Sequence, residues 1–108
     1  MKTITLTMLQ RAGLEQLIGQ KTGKRDSNVV FYRIRKKIKV LQADKAAIAQ
    51  KQEANKYLGD DAYSGYPEVE VSLETEEVRK LKDLLNDTEV PLAWLDWMEP
   101  VMEKLNAE

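Results

Sequence analysis

The chain has 108 residues, of which 43% are hydrophobic and 32% charged, and it contains neither Cys nor His. That size fits one domain with a modest core. The missing residue types remove disulfide and thiolate chemistry, the commonest general base and the commonest zinc ligand. The formal net charge of −1 hides a split, because residues 1–58 carry 13 Lys+Arg against 4 Asp+Glu while residues 59–108 carry 4 against 14. Such asymmetry points to a polyanion partner or to two halves that neutralise each other. No apolar run approaches the ~18 residues of a membrane span, and Met1 to Met8 alternate with polar residues, unlike a signal peptide. A protein of the cytoplasm, with no membrane contact, is expected.

In chain order, Thr3 to Leu6 alternate as a short strand. Met8, Leu9, Ala12, Leu14, Leu17 and Ile18 recur at helical spacing, with Gly19 as C-cap. Residues 19–28 (GQKTGKRDSN) read as a basic loop. Residues 29–41 (VVFYRIRKKIKVL) fit two periods. A helix places Val30, Phe31, Ile34, Ile38 and Leu41 on one face, and a strand places Val30, Tyr32, Ile34, Ile38 and Val40 on one face. The helix is preferred, with Ser27 or Asn28 as N-cap, because a strand of that length is unusual. Residues 43–58 are rich in helix formers, with a thin apolar face of Ile48, alanines, Tyr57 and Leu58, and Gly59 ends them.

Across the loop 59–67 the charge changes sign. Glu68 to Leu73 then alternate as a strand with Val69, Val71 and Leu73 on one face. Val78, Leu81, Leu84 and Leu85 mark a helix whose first turn carries Glu74, Glu76 and Glu77, at the end of the helix dipole that favours anions. A last helix, capped by Thr88 or Glu89 with Pro91 near its first turn, has the stripe Trp94, Leu95, Met98, Val101, Met102 and Leu105. Pro100 lies inside it and should kink it, leaving the Asp96 carbonyl without its usual partner. The expected fold is α+β and predominantly helical, a single domain of about four helices with one or two short β-strands.

The run VEVSLETEEVRKLKDLLND, a short strand into an acidic-start helix and then a C-terminal helix, resembles the end of a group of small uncharacterised tailed-bacteriophage proteins. That resemblance extends to the leucine-rich first helix, TMLQRAGLEQLIG, and the basic helix, FYRIRKKIKVL, and so covers about two-thirds of the chain in order of elements. The Ala-rich segment 43–58 and the Trp pair depart from the pattern. The resemblance implies a phage origin, with action in the host cytoplasm, and brings no activity with it.

Four groups of residues bear on function. Lys24, Arg25, Arg33, Arg35, Lys36, Lys37 and Lys39, with Lys21, form a basic cluster suited to phosphates, since each neutralised phosphate releases a counterion. No helix-turn-helix, zinc spacing or base-stacking motif accompanies it, so nucleic-acid binding through it is expected to be weak and salt-sensitive. The bland reading is a solvated helix face paired with the acidic half. GQKTGKR has three residues between its glycines and Arg25 where a phosphate-binding loop needs four and a hydroxyl, which rejects nucleotide hydrolysis. The carboxylates Asp60, Asp61, Glu68, Glu70, Glu74, Glu76 and Glu77 follow no calcium-loop spacing and are expected to be a solvated surface. Trp94 and Trp97 are neighbours at helical spacing. Trp94 is expected in the core, and Trp97 with Pro100 at its edge, available to a protein partner.

The preferred reading is a small non-enzymatic interaction protein, without cofactor or metal, that binds a protein partner. The first alternative is a nucleic-acid-binding protein using the basic half. A third is a phage structural or assembly protein, a homo-oligomer whose oppositely charged halves stack head to tail.

Overall fold

In a computed structural model that describes residues 1–57 and 59–107, the Asp60 side chain excepted, the fold is α+β and mostly helical. Its order is β1 (Lys2–Leu6), α1 (Met8–Gly19), α2 (Arg25–Ile38), α3 (Gln42–Ala54), a 3₁₀ turn (Gly59–Tyr63), β2 (Val69–Leu73), α4 (Thr75–Asp87), a second 3₁₀ turn (Leu92–Trp94) and α5 (Leu95–Asn106). The α-helices number five among the described residues, one above the expected count. None is long and apolar enough to cross a membrane.

The two strands pair antiparallel, with Lys2 opposite Leu73 and Leu6 opposite Val69. Period two puts Ile4, Leu6, Val71 and Leu73 on the buried face, while Thr3, Thr5, Glu70 and Ser72 face out, as the alternation predicts. Two lysines reach the outer carbonyls of this ribbon: Lys104 Nζ donates to Thr5 O at 2.7 Å, and Lys37 Nζ donates to Ser72 O at 2.9 Å. The helices cover the apolar face through Leu14, Leu17 and Ile18 of α1, Phe31, Ile34 and Ile38 of α2, Leu81, Leu84 and Leu85 of α4, and Trp97, Met98, Val101 and Leu105 of α5. A smaller cluster of Met8, Val40, Ile48 and Ala62 seats α3 and the first 3₁₀ turn.

Helix starts follow local chemistry. Thr7 caps α1 in a reciprocal box: its Oγ1 accepts from the Gln10 N–H, and Gln10 Oε1 accepts from the Thr7 N–H at 3.0 Å. Glu74 and Glu77 repeat the device at α4.

Several expectations are corrected. Residues 29–38 are helical, as preferred over a strand, but α2 begins earlier, at Arg25 after Lys24, and neither Ser27 nor Asn28 is its cap. It stops at Ile38, and Lys39 to Leu41 are not helical. Val40 therefore turns inward and Leu41, expected on the apolar face, is 67% exposed. Helix α3 ends at Ala54 and not at Gly59, which instead opens the 3₁₀ turn; Tyr57 projects fully into solvent, and Leu58 lies outside the described residues. Thr88 closes α4 instead of opening the last helix: its N–H and its Oγ1 both donate to the Leu84 carbonyl.

The tryptophans are reversed. Trp97 is buried at 6% exposure in the main core, and Trp94 is half-buried beside it, with ring centroids 6.0 Å apart. The 3₁₀ turn through Trp94 shifts the helical phase, so the buried stripe of α5 starts at Trp97 and continues through Met98, Val101 and Leu105. Gly13 of α1 makes room, since a methyl group there would overlap the Trp97 ring. Pro100 is half-buried within a helix that runs unbroken from Leu95 to Asn106.

Candidate functional site

Two flanks of α2 treat its cations differently. On the side facing α4, Lys37 Nζ donates to Glu77 Oε1 and Arg33 lies 3.6 Å from Glu76. The two halves of the chain thus neutralise each other there. Glu77 is 1% exposed and so is no part of a solvated acidic surface. Burial raises its pKa, but the Lys37 hydrogen bond, the Glu74 N–H and the charges of Lys37 and Arg33 outweigh burial and hold it below the ordinary carboxylate value. Its Oε2 is buried without a partner among the described residues, so a single oxygen carries both hydrogen bonds.

On the opposite flank, Tyr32, Arg35, Lys36 and Lys39 line a shallow hollow. Their spacing of three and four residues stacks them over two turns. Lys36 Nζ lies 4.8 Å from the centroid of the Tyr32 ring, which is 56% exposed. Arg35, Lys36 and Lys39 have no ion-pair partner among the described residues. Lys24 and Arg25 are exposed at the start of α2, where Arg25 meets only its neighbour Asp26 at 3.9 Å. The seven sequence-predicted cations are thus not one surface: Arg33 and Lys37 are taken up by α4, and five remain open.

A groove lies on the other side of Arg35, along the outer face of α1. Its first part is lined by Ala12, Glu15, Gln16, Arg35, Lys45 and Ile48 among others. Its second part is lined by Leu9, Gly13, Ala93, Trp94 and the edge of Trp97. Ala12, Gln16, Gln52 and Tyr63 belong to both, so the two parts adjoin. Their volumes are about 300 and about 280 Å³. The floor is shallow because α1 offers Ala12 and Gly13 there, and α3 with the first 3₁₀ turn supplies one wall.

Two buried polar residues of α1 anchor the end of α2 and, through it, the start of that wall. Arg11 donates from Nε to Ile38 O at 3.2 Å and from Nη2 to Lys39 O at 2.7 Å, and so caps the carbonyl end of α2. Glu15, one turn on, accepts from the Val40 N–H at 3.0 Å and from Lys45 Nζ at 2.7 Å. Burial raises the Glu15 pKa, yet Lys45, the Val40 N–H and the Arg35 charge bring it below the ordinary value. Both buried carboxylates are therefore ionised at neutral pH and tied to lysines, as structural groups.

Sequence reasoning missed this groove. Its signals were Arg11, Glu15 and Gly13 inside an otherwise apolar helical pattern. Polar residues on a core face require partners, and a glycine in mid-helix marks a close approach. Among the described residues no set of three or more carboxylates converges as a metal site. Comparison with known protein families, with curated proteins and with solved structures gives no match for this chain.

Proposed function

We propose that the chain is a non-enzymatic interaction protein, phage-encoded and active in the host cytoplasm, that receives a short segment of a protein partner in the α1 groove. The observation that supports this reading is the joined groove itself. It runs from the open cation Arg35 to the half-buried Trp94, over a floor of small residues, with Gln16, Gln52 and Tyr63 between. The trough mixes polar and apolar lining: Gln16, Gln52 and Arg35 can fix the orientation of a segment, and the half-buried Trp94 supplies aromatic contact area of the kind found at binding hot spots. The partner segment would place an apolar side chain against Trp94 and Tyr63 and an acidic one toward Arg35. Of the two residues expected at the contact surface, Trp97 lines one end of the groove from a buried position, and Pro100 does not line it.

The test is selection of a random peptide library on the folded protein, repeated on Trp94→Ala and Tyr63→Ala after melting curves establish that both fold. Enriched peptides should combine an aromatic or aliphatic residue with Asp or Glu. Their binding should weaken by ~2 kcal/mol or more in Trp94→Ala, the hot-spot range. Absence of enrichment, or enriched peptides indifferent to both changes, refutes the reading.

A further inference from the structure

We infer that the open flank of α2 is a separate binding face for single-stranded nucleic acid. The α2–α4 side of the same helix is neutralised by Glu76 and Glu77, so the cations left open form one stripe instead of a surrounding positive surface. At 100° per residue, Arg25, Tyr32 and Lys36 fall within a narrow arc of α2, Arg35 sits at its margin, and Lys39, just past the helix end, lines the same hollow. At 1.5 Å per residue the helical part of the stripe runs about 16 Å, from Arg25 to Lys36. Charge complementarity names the occupant as a phosphate polymer. Tyr32 narrows it to a single strand, because an exposed ring set among cations gives an unpaired base a surface to stack on, and duplex bases have no free face to offer. The stripe is mostly lysine, and the one guanidinium within its arc, Arg25, stands beside Asp26, so binding through it is expected to depend on charge and stacking more than on sequence.

This face is distinct from the groove of the preceding proposal. Arg35 borders both and is left unchanged in the test. The probe is a fluorescein-labelled oligothymidylate, followed by anisotropy against wild type, Tyr32→Ala, Lys36→Ala/Lys39→Ala and, as a control on α4, Lys80→Ala/Lys82→Ala. Wild type should bind at low salt, with log affinity falling against log salt at a slope of roughly −2 to −3, for three or four phosphates. Lys36→Ala/Lys39→Ala should weaken binding tenfold or more and flatten the slope by about 1.4, at about 0.7 for each phosphate no longer neutralised. Tyr32→Ala should weaken binding about fivefold or more at unchanged slope, the signature of base stacking removed without a change of charge. The control pair should bind as wild type does. The inference is overturned by absence of binding at low salt, or by equal weakening in the α4 control. It is also overturned if Tyr32→Ala has no effect while heparin and duplex compete as well as the single strand, since that describes a general polyanion face.

Discussion

Among the described residues, the main core ties both strands to α1, α2, α4 and α5 through 18 buried apolar residues, whereas α3 and the 3₁₀ turn after it rest on four, Met8, Val40, Ile48 and Ala62. The second region adds one ion pair, Glu15 with Lys45, and the Glu15 bond to the Val40 N–H. Area buried sets how much stability each region contributes. The difference therefore divides the molecule into a scaffold and a lightly held wall, and the wall is the part that borders the groove. Elements that bury little apolar surface open locally at a free energy below that of global unfolding.

The comparison can be broken by substitutions on either side of it. Trp97→Ala should have the largest effect, about 3–5 kcal/mol, because it empties the space between α1 and α5. Chemical denaturation should show one cooperative transition at a much lower midpoint. Leu81→Ala, at a fully buried position of α4, should cost about 2–5 kcal/mol in the same global transition. A midpoint unchanged from wild type would contradict the assignment of that stripe to the core. Gly13→Ala should destabilise by about 1–3 kcal/mol, because overlap with the Trp97 ring outweighs the gain in helix propensity. Combining it with Trp97→Ala should remove most of that penalty, which a double-mutant cycle measures.

Ile48→Ala should behave differently. It should lower the global midpoint by less than about 1 kcal/mol and remove hydrogen-exchange protection across residues 42–54 while leaving α4 protected. Equal loss of protection in α3 and α4 would show one cooperative unit in place of two.

Acid sharpens the same contrast with the smallest perturbation. Glu15 and Glu77 both have pKa values lowered on folding, so each contributes stability that is complete above the unfolded carboxylate range and lost as pH falls through the folded value. Glu77 sits within the scaffold, between α2 and α4, and Glu15 holds the wall. Below the ordinary carboxylate range, exchange protection in 42–54 should fall before the global transition does. Glu15→Gln should reproduce that local loss at neutral pH.

The parts of the fold legible in the sequence are those that a single period determines. The alternation at Val69, Val71 and Leu73 and the spacing of Val78, Leu81, Leu84 and Leu85 report a face that one neighbour buries, so the pattern and the structure agree. The helix at 29–41 was legible in kind but not in extent, because its end is set by Arg11, which lies 27 residues before Ile38 and takes that residue's carbonyl. Of the Trp pair, Trp97 was legible, since it stands four residues before Val101 and eight before Leu105 on one α-helical face, and only Trp94 is put out of phase by the 3₁₀ turn. Among the candidate residues, the division of α2 into a neutralised flank and an open one depends on Glu76 and Glu77, about 40 positions later, and local sequence does not show it. Thr7-x-x-Gln10 was a readable start signal for α1, and Gly13 a readable sign of close packing.

The two lysines seated on the ribbon bear on how copies of this protein treat one another. A sheet of two strands has an outer border on each side, and unpaired carbonyls along such a border are a template for another copy's backbone. Lys104 occupies Thr5 O and Lys37 occupies Ser72 O, so an ammonium group stands on each border where an incoming strand would have to dock. Any approaching chain must displace a charge before it gains a hydrogen bond. Acetylation of these amines should therefore open both borders to another copy's backbone, and at Lys37 it would also take from the buried Glu77 its cation, so light scattering and melting curves together would register the change.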